Sequence, residues 1–115
     1  MASQINTTGK NLMLDALGAA CGFLALYTDI AGTIEVSGGT PAYARKAITY
    51  NAAAAGSKSI SNAPVFDIPA GTTVRAVGFC TAVSAGIQHA VDDVTAESFA
   101  GQGTYTVNAG SVTLT

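Results

Sequence analysis

The spacing of hydrophobic residues near the N-terminus is that of a helix. Met13 and Leu17 lie four residues apart with Leu14 beside them, which places all three on one side of a helix. We therefore predict a short helix over residues 10–17, capped by one of the two threonines that precede it and ended by Gly18. A helix this short is marginal alone, so it must pack against the rest of the chain.

Beyond Gly22 the pattern changes to short apolar or alternating runs separated by Gly, Pro, Asn and Asp, which is typical of strands and turns. The predicted strands are 23–28, 43–50, 58–60, 65–68, 73–82 and 87–90, and a closing hairpin pairs 103–107 with 111–114. Strand 73–82 becomes apolar on both faces toward Cys80, so we expect a central strand covered on both sides in its second half. The segments 29–41 and 92–100 are expected to be loops.

This sum of elements predicts the class of fold. Six to eight short strands after one small helix favour an all-β fold, namely an antiparallel β-sandwich that is jelly-roll-like. We assign residues 1–20 to an N-terminal arm and short helix and residues 21–115 to the β-sandwich domain.

The scarcity of charge then points to a kind of function. Only 10% of the 115 residues are charged and 49% are hydrophobic, whereas a soluble domain usually carries about a quarter charged residues. Much of the difference is made up by alanine, glycine, threonine and serine. A surface of such short neutral side chains is easily covered by other protein, so the composition favours assembly over catalysis.

Two classes of partner are not expected. Nucleic-acid binding needs several cations on one face, but the five cations are scattered and only Arg45 and Lys46 are adjacent. The apolar run 12–27 is too short for a membrane span and is interrupted by Asp15, so we expect neither membrane insertion nor a cleaved leader. We expect a chain that is made in the cytoplasm and left unprocessed.

The residues that carry chemistry are few and poorly arranged for it. His89 has Asp92 and Asp93 nearby, but the spacing fits no metal pattern. Cys80 lies in an apolar strand, where a thiol is unreactive. We therefore predict no catalytic residue, no cofactor and no metal. For Cys21 and Cys80 the sequence leaves two alternatives open, namely two buried free thiols or one disulfide.

The two arginines are expected to form structural ion pairs. Arg45 follows the glycine-rich loop and can reach Glu35 across it. Arg75 can reach Asp67 across the tight turn that begins at Pro69. We therefore interpret both arginines as structural residues in preference to ligand contacts.

Five segments stand out by their order along the chain. They are Ala25-Leu26-Tyr27-Thr28-Asp29, Glu35-Val36-Ser37-Gly38-Gly39, Tyr43-Ala44-Arg45-Lys46-Ala47, Phe66-Asp67-Ile68-Pro69-Ala70-Gly71-Thr72 and Phe99-Ala100-Gly101-Gln102-Gly103-Thr104-Tyr105. From about Phe23 to the C-terminus the chain resembles a group of small tailed-phage virion proteins labelled tail fibre or head decoration proteins. The resemblance implies a β-sandwich with no catalytic role, incorporated in many copies into a virion.

We therefore expect a capsid decoration protein that binds and stabilises the assembled head. It would be made in the host cytoplasm and lie on the outer surface of the virion. Its partners would be the major capsid protein and copies of itself, with a trimer suited to threefold positions of the capsid. The candidate contact residues are Met13, Leu14, Leu17, Tyr43 and Arg45.

Two alternatives remain beside capsid decoration. The first is a structural protein of the tail tip or tail fibre. The second is a glycan-binding β-sandwich that uses Tyr27, Tyr43 or Tyr50 as a stacking platform for a sugar ring.

Overall fold

The computed structural model describes residues 4–108 and 110–113, and this part of the chain contains one helix followed by eight strands. The elements are α1 (Thr7–Ala20), β1 (Phe23–Tyr27), β2 (Lys46–Ala47), β3 (Ser57–Ser59), β4 (Val65–Ile68), β5 (Thr72–Cys80), β6 (Gln88–Phe99), β7 (Gly103–Thr106) and β8 (Ser111–Thr113). The predicted all-β class with one N-terminal helix is confirmed.

The strands form one larger sheet and two ribbons, and all of their pairings are antiparallel. The main sheet has the order β2-β1-β5-β6, while β3 pairs with β8 and β4 pairs with β7. The predicted hairpin between 103–107 and 111–114 is therefore wrong, and Leu114 lies outside the described residues. Burial explains the difference, because β7 places Tyr105 opposite Phe66 and leads into the buried Val107, whose N–H donates to Pro64 O.

Strand β5 is central, as predicted. It lies between β1 and β6, and every residue from Ala76 to Cys80 is buried. Glycine is needed at position 78, because a Cβ there would lie 2.5 Å from Cε2 of the Tyr27 ring. Small residues in this strand thus let a neighbouring aromatic ring lie directly across the backbone.

The core consists of a main cluster on one side of β1 and β5 and a smaller cluster on the other. The main cluster contains Cys21, Leu24, Leu26, Val36, Ile48, Ile60, Phe66, Ile68, Val74, Val77, Phe79 and Val107. The smaller cluster contains Ala25, Tyr27, Ala76 and Cys80. Since full burial of a large apolar side chain is worth about 1.5–3 kcal/mol, the main cluster dominates the stability of the fold.

Two strand boundaries differ from those predicted. The expected loop 92–100 is the second part of β6, because pairing with β5 reaches from Gln88 to Phe99 and satisfies the backbone of a polar segment. The expected strand 43–50 shrinks to β2. Beyond β2 the chain turns away from β1, since the N–H of Thr49 donates to the side chain of Asn62.

Helix α1 is longer than predicted at both ends. Its N-cap is Asn6 instead of Thr7 or Thr8, and the Asn6 side chain accepts a hydrogen bond of 2.9 Å from the Gly9 N–H. Gly18 does not end the helix, because it serves as a contact point: a Cβ at this position would lie 2.4 Å from Lys58 Cε. The helix packs on β3 through this close approach, as its short length required.

Candidate interaction surfaces

The five predicted contact residues fall into two groups. Met13, Leu14 and Leu17 lie on α1, whereas Tyr43 and Arg45 lie in the segment between β1 and β2.

The helical group divides by exposure. Leu14 is 1% exposed and lies inside the fold, so the prediction that it is a contact residue for a partner is wrong. Leu17 is half-buried and packs against the main core cluster. Met13 is 47% exposed and is the member of this group that another protein can reach.

A buried ammonium holds α1 in place. Lys58 on β3 is only 7% exposed, and its Nζ donates to Asp15 Oδ1 at 2.7 Å and lies 5.4 Å from the centre of the Tyr50 ring. The N–H of Ala53 donates to the same carboxylate oxygen at 3.0 Å. The hydrogen bond from Lys58 and then that from Ala53 lower the pKa of Asp15. The one carboxylate of the helix thus joins α1 to β3 and to the loop before it, while the Asp15 side chain stays about half exposed, at 52%.

The second group forms a clasp around Glu35. Arg45 makes the predicted ion pair, donating from Nε to Glu35 Oε2 and from Nη2 to Oε1, both at 2.9 Å. Tyr43 Oη donates to Oε2 at 2.8 Å. Such two-pronged pairing is among the stronger polar contacts in proteins. Burial raises the pKa of Glu35, but the hydrogen bonds from Arg45 and Tyr43 outweigh burial, and the pKa is lowered from its ordinary 4.5.

Arg45 also ties two loops together. Its Nη1 donates to the carbonyls of Ala82, at 3.0 Å, and Ala85, at 2.8 Å, in the turn between β5 and β6. A groove of about 330 Å³ lies here, lined in part by Glu35, Tyr43 and Val83. Arg45 lines this groove, and its Nε, Nη1 and Nη2 each donate to a protein acceptor. Arg45 and Tyr43 thus act first as structural residues that fix the loops around the groove.

The three tyrosines considered as a stacking platform for a sugar ring all pack against other parts of the fold. Tyr27 is 4% exposed, and burial with a contact to Cys80 raises its pKa to about 12. Tyr43 stacks on Phe66 with ring centres 6.2 Å apart. Tyr50 packs on the ring of Phe79 and donates its hydroxyl proton to Cys21 O at 2.6 Å. Tyr27 is buried, whereas Tyr43 and Tyr50 are half-buried and pack against the main core cluster, so the glycan-binding alternative stays a prediction.

The other candidates for chemistry are the two cysteines and His89 with its neighbouring aspartates. Cys21 and Cys80 are both free and buried, so of the two alternatives left open for the cysteines, free thiols are the one observed. His89, Asp92 and Asp93 are exposed on β6. Over residues 4–108 and 110–113, no group of three or more His, Cys, Asp or Glu side chains is placed to hold a metal ion. In the same ranges no helix is long and apolar enough to cross a membrane.

The ion pair predicted between Arg75 and Asp67 is absent. In the part of the chain that the structure describes, the ion pairs are Arg45–Glu35 and Lys58–Asp15. The physical reason is topological, because Asp67 belongs to the β4–β7 ribbon and Arg75 to the main sheet. The turn at Pro69 joins two different layers and does not close a hairpin.

Sequence reasoning missed the most accessible apolar residues. Leu12 is 72% exposed on α1. At the end of the main sheet, Ile30, Ile34, Val83 and Ile87 are more than half exposed on the two loops next to the clasp. Leu12 lies within the predicted helix 10–17 and two residues before Leu14, so a helical projection would have placed it on the opposite side.

Comparison with known proteins identifies the family. A family model described as "Podophage GP4 fiber I protein gp80" matches residues 7–115. The chain belongs to this family. It is therefore a bacteriophage structural protein of the fibre type, which confirms the phage part of the resemblance. No curated protein and no solved structure matches the chain.

Proposed function

We propose that this chain is a structural subunit of a phage fibre, acts by contacts with other protein and catalyses no reaction. The observation that carries the proposal is the match of the fibre family over residues 7–115, nearly the whole length. The low charge of the surface supports it, because neutral short side chains are easily desolvated when another subunit covers them.

The distribution of exposed apolar residues favours specific contacts at separate places. One place is α1, with Leu12 and Met13. Another is formed by the exposed residues of two loops, namely Ile30 and Ile34 after β1 and Ile87 between β5 and β6. The molecule is elongated, with extents of 52 × 26 × 24 Å. An elongated subunit with several apolar contact places suits a part that has neighbours on more than one side.

The charges on one edge strand of the main sheet also support the proposal, because they oppose pairing of that edge with a strand of another molecule. Strand β6 is at this edge and exposes Asp92, Asp93 and Glu97. Pairing of two such strands would bring like charges together, and charged edges are a common protection against unwanted sheet extension. These charges therefore oppose extension of the main sheet at the β6 edge.

Head decoration stays a prediction, as do the major capsid protein as partner and the outer surface as location. The matched family is described as a fibre protein, which favours the tail-fibre alternative. The glycan-binding alternative also stays a prediction, and burial of Tyr27 leaves Tyr43 and Tyr50 as the tyrosines that could serve it.

Labelling of purified virions with antibody against this chain tests the proposal. We expect label on fibres and none spread over the head. Particles that lack the chain should keep intact heads but lose the labelled fibres. Label distributed evenly over the head would contradict the fibre proposal and support decoration.

A further inference from the structure

The contacts that hold α1 against the rest of the fold lie on one stripe of the helix. Asn11, Asp15 and Gly18 follow one another at steps of four and three, which share one side of a helix, and Leu14 lies beside them. Among the 14 residues of α1, all within the described part of the chain, Leu14 is the one that is buried. Leu17 is half-buried. This is little apolar burial for a helix, so its attachment depends strongly on polar contacts.

The polar contacts of the stripe join α1 to β3 and to the chain just before it. Asn11 Oδ1 accepts a hydrogen bond of 3.0 Å from the Gly56 N–H. Asp15 Oδ1 accepts from the Ala53 N–H at 3.0 Å and from Lys58 Nζ at 2.7 Å. In the part of the chain that the structure describes, no backbone-to-backbone hydrogen bond joins α1 to a strand. The helix can therefore separate from the fold without breaking any strand pairing.

The two partners of the ion pair between α1 and β3 differ in their exposure to solvent. The side chain of Lys58 is 9% exposed, whereas that of Asp15 is 52% exposed. The helix lies directly over Lys58, since a Cβ at Gly18 would be 2.4 Å from Lys58 Cε. Burial of an ammonium is costly unless a partner compensates it, and here the compensating carboxylate belongs to the helix. When α1 leaves, the ammonium becomes hydrated, and this hydration offsets part of the cost of opening.

The boundary of the part that can move follows from Cys21, the C-cap of α1. Cys21 is fully buried, and its carbonyl oxygen accepts a hydrogen bond of 2.6 Å from Tyr50 Oη. Just beyond it, every residue of β1 is paired with β5. Cys21 therefore stays with the β fold, and the separable unit is the helix that precedes it.

We propose that α1 is a lid that opens as one unit while the β fold stays intact, and that the Asp15–Lys58 pair sets how often it opens. An element with little buried apolar surface opens at a lower free energy than a central strand such as β5. The open state uncovers the ammonium of Lys58 next to the Tyr50 ring. This inference concerns the isolated chain and does not rest on the proposed fibre role.

Amide hydrogen exchange of the full natural chain tests the lid. Relative to an unfolded peptide of the same sequence, amides in the last two turns of α1 should exchange at least about tenfold faster than the slowest amides of β5. Urea below the unfolding transition should speed exchange steeply in β5 and only slightly in α1, since opening of the lid exposes little surface. Equal exchange in α1 and β5, or an equal response to urea, would overturn the lid.

Substitutions at the ion pair test its part in the lid. Asp15→Asn keeps a hydrogen-bond acceptor but removes the charge that compensates Lys58, so exchange in α1 should become about tenfold faster. Adding Lys58→Met removes the uncompensated ammonium and should return α1 to within about twofold of its natural rate. Asp29→Asn is the matched control, because this carboxylate accepts from the N–H groups of Thr33 and Ile34 in the loop after β1. It should leave exchange in α1 unchanged.

The variants can also overturn the role of the pair. Unchanged exchange of α1 in Asp15→Asn would do so, and so would an equal rise in Asp29→Asn. Failure of Lys58→Met to restore the natural rate would show that the uncompensated ammonium is not what opens the lid. None of these results changes the labelling of fibres on virions, so the proposed function is tested separately.

Discussion

Two leucines on the same helix have opposite surroundings. Leu14 is 1% exposed, and Leu12, two residues earlier, is 72% exposed. Two residues correspond to about 200° of rotation in a helix, so the two side chains point to nearly opposite sides. The fold explains Leu14, because the sheet covers it. It does not explain Leu12, whose exposed side chain is one of the apolar contact places of the proposed fibre subunit.

The largest expected effect separates these two leucines. Leu14→Ala should lower the free energy of unfolding by about 2–5 kcal/mol, because it leaves a cavity between α1 and the rest of the fold. Leu12→Ala should change it by less than about 0.5 kcal/mol in the dilute chain, because the side chain has little to lose. Urea denaturation measures both values. Equal effects would show that the two sides of the helix do not differ in the way described.

A second pair of variants tests how tightly the interior is filled. Gly78→Ala puts a methyl group against the Tyr27 ring and should cost about 1–3 kcal/mol. Gly22→Ala is the matched control, because a Cβ there meets no atom within 4 Å. We expect its effect on the unfolding free energy to stay within about 0.5 kcal/mol. A harmless Gly78→Ala would mean that the ring does not lie across β5.

The smallest effect concerns pH and the clasp around Glu35. The pKa of Glu35 is lowered in the fold, so its carboxylate stabilises the protein above its ordinary pKa of 4.5. This contribution is lost as the pH falls through the lowered value. Glu35→Gln should therefore be less stable than the natural chain at pH 7 and show a flatter decline below about pH 4.5.

Thermal unfolding across pH 7 to 3 measures this decline. Asp15 and Asp29 also have lowered pKa values, so part of the slope should remain in Glu35→Gln. An unchanged slope would contradict the role of the Arg45 and Tyr43 hydrogen bonds.

The parts of the fold that local sequence dictates were predicted well. Strand β5 has apolar residues on both faces, and such a segment is stable only at the centre of a sheet. The pair between Glu35 and Arg45 follows from two opposite charges at the two ends of one loop. The overall all-β class follows from short apolar runs punctuated by Gly and Pro.

Parts that depend on distant partners were not predicted. Strand β6 is polar and gains its structure from β5, so its own residues 92–99 have the composition of a loop. Strands β7 and β8 are close in sequence, but each pairs with an earlier strand because Tyr105 and Val107 then join the core.

Electron microscopy of the intact virion tests the central claim most directly. We predict density for this chain in a fibre, with the Leu12 side of α1 covered by another subunit. Density that places the chain on the head shell, or that leaves the Leu12 side of α1 open to solvent in the assembled particle, would contradict the account.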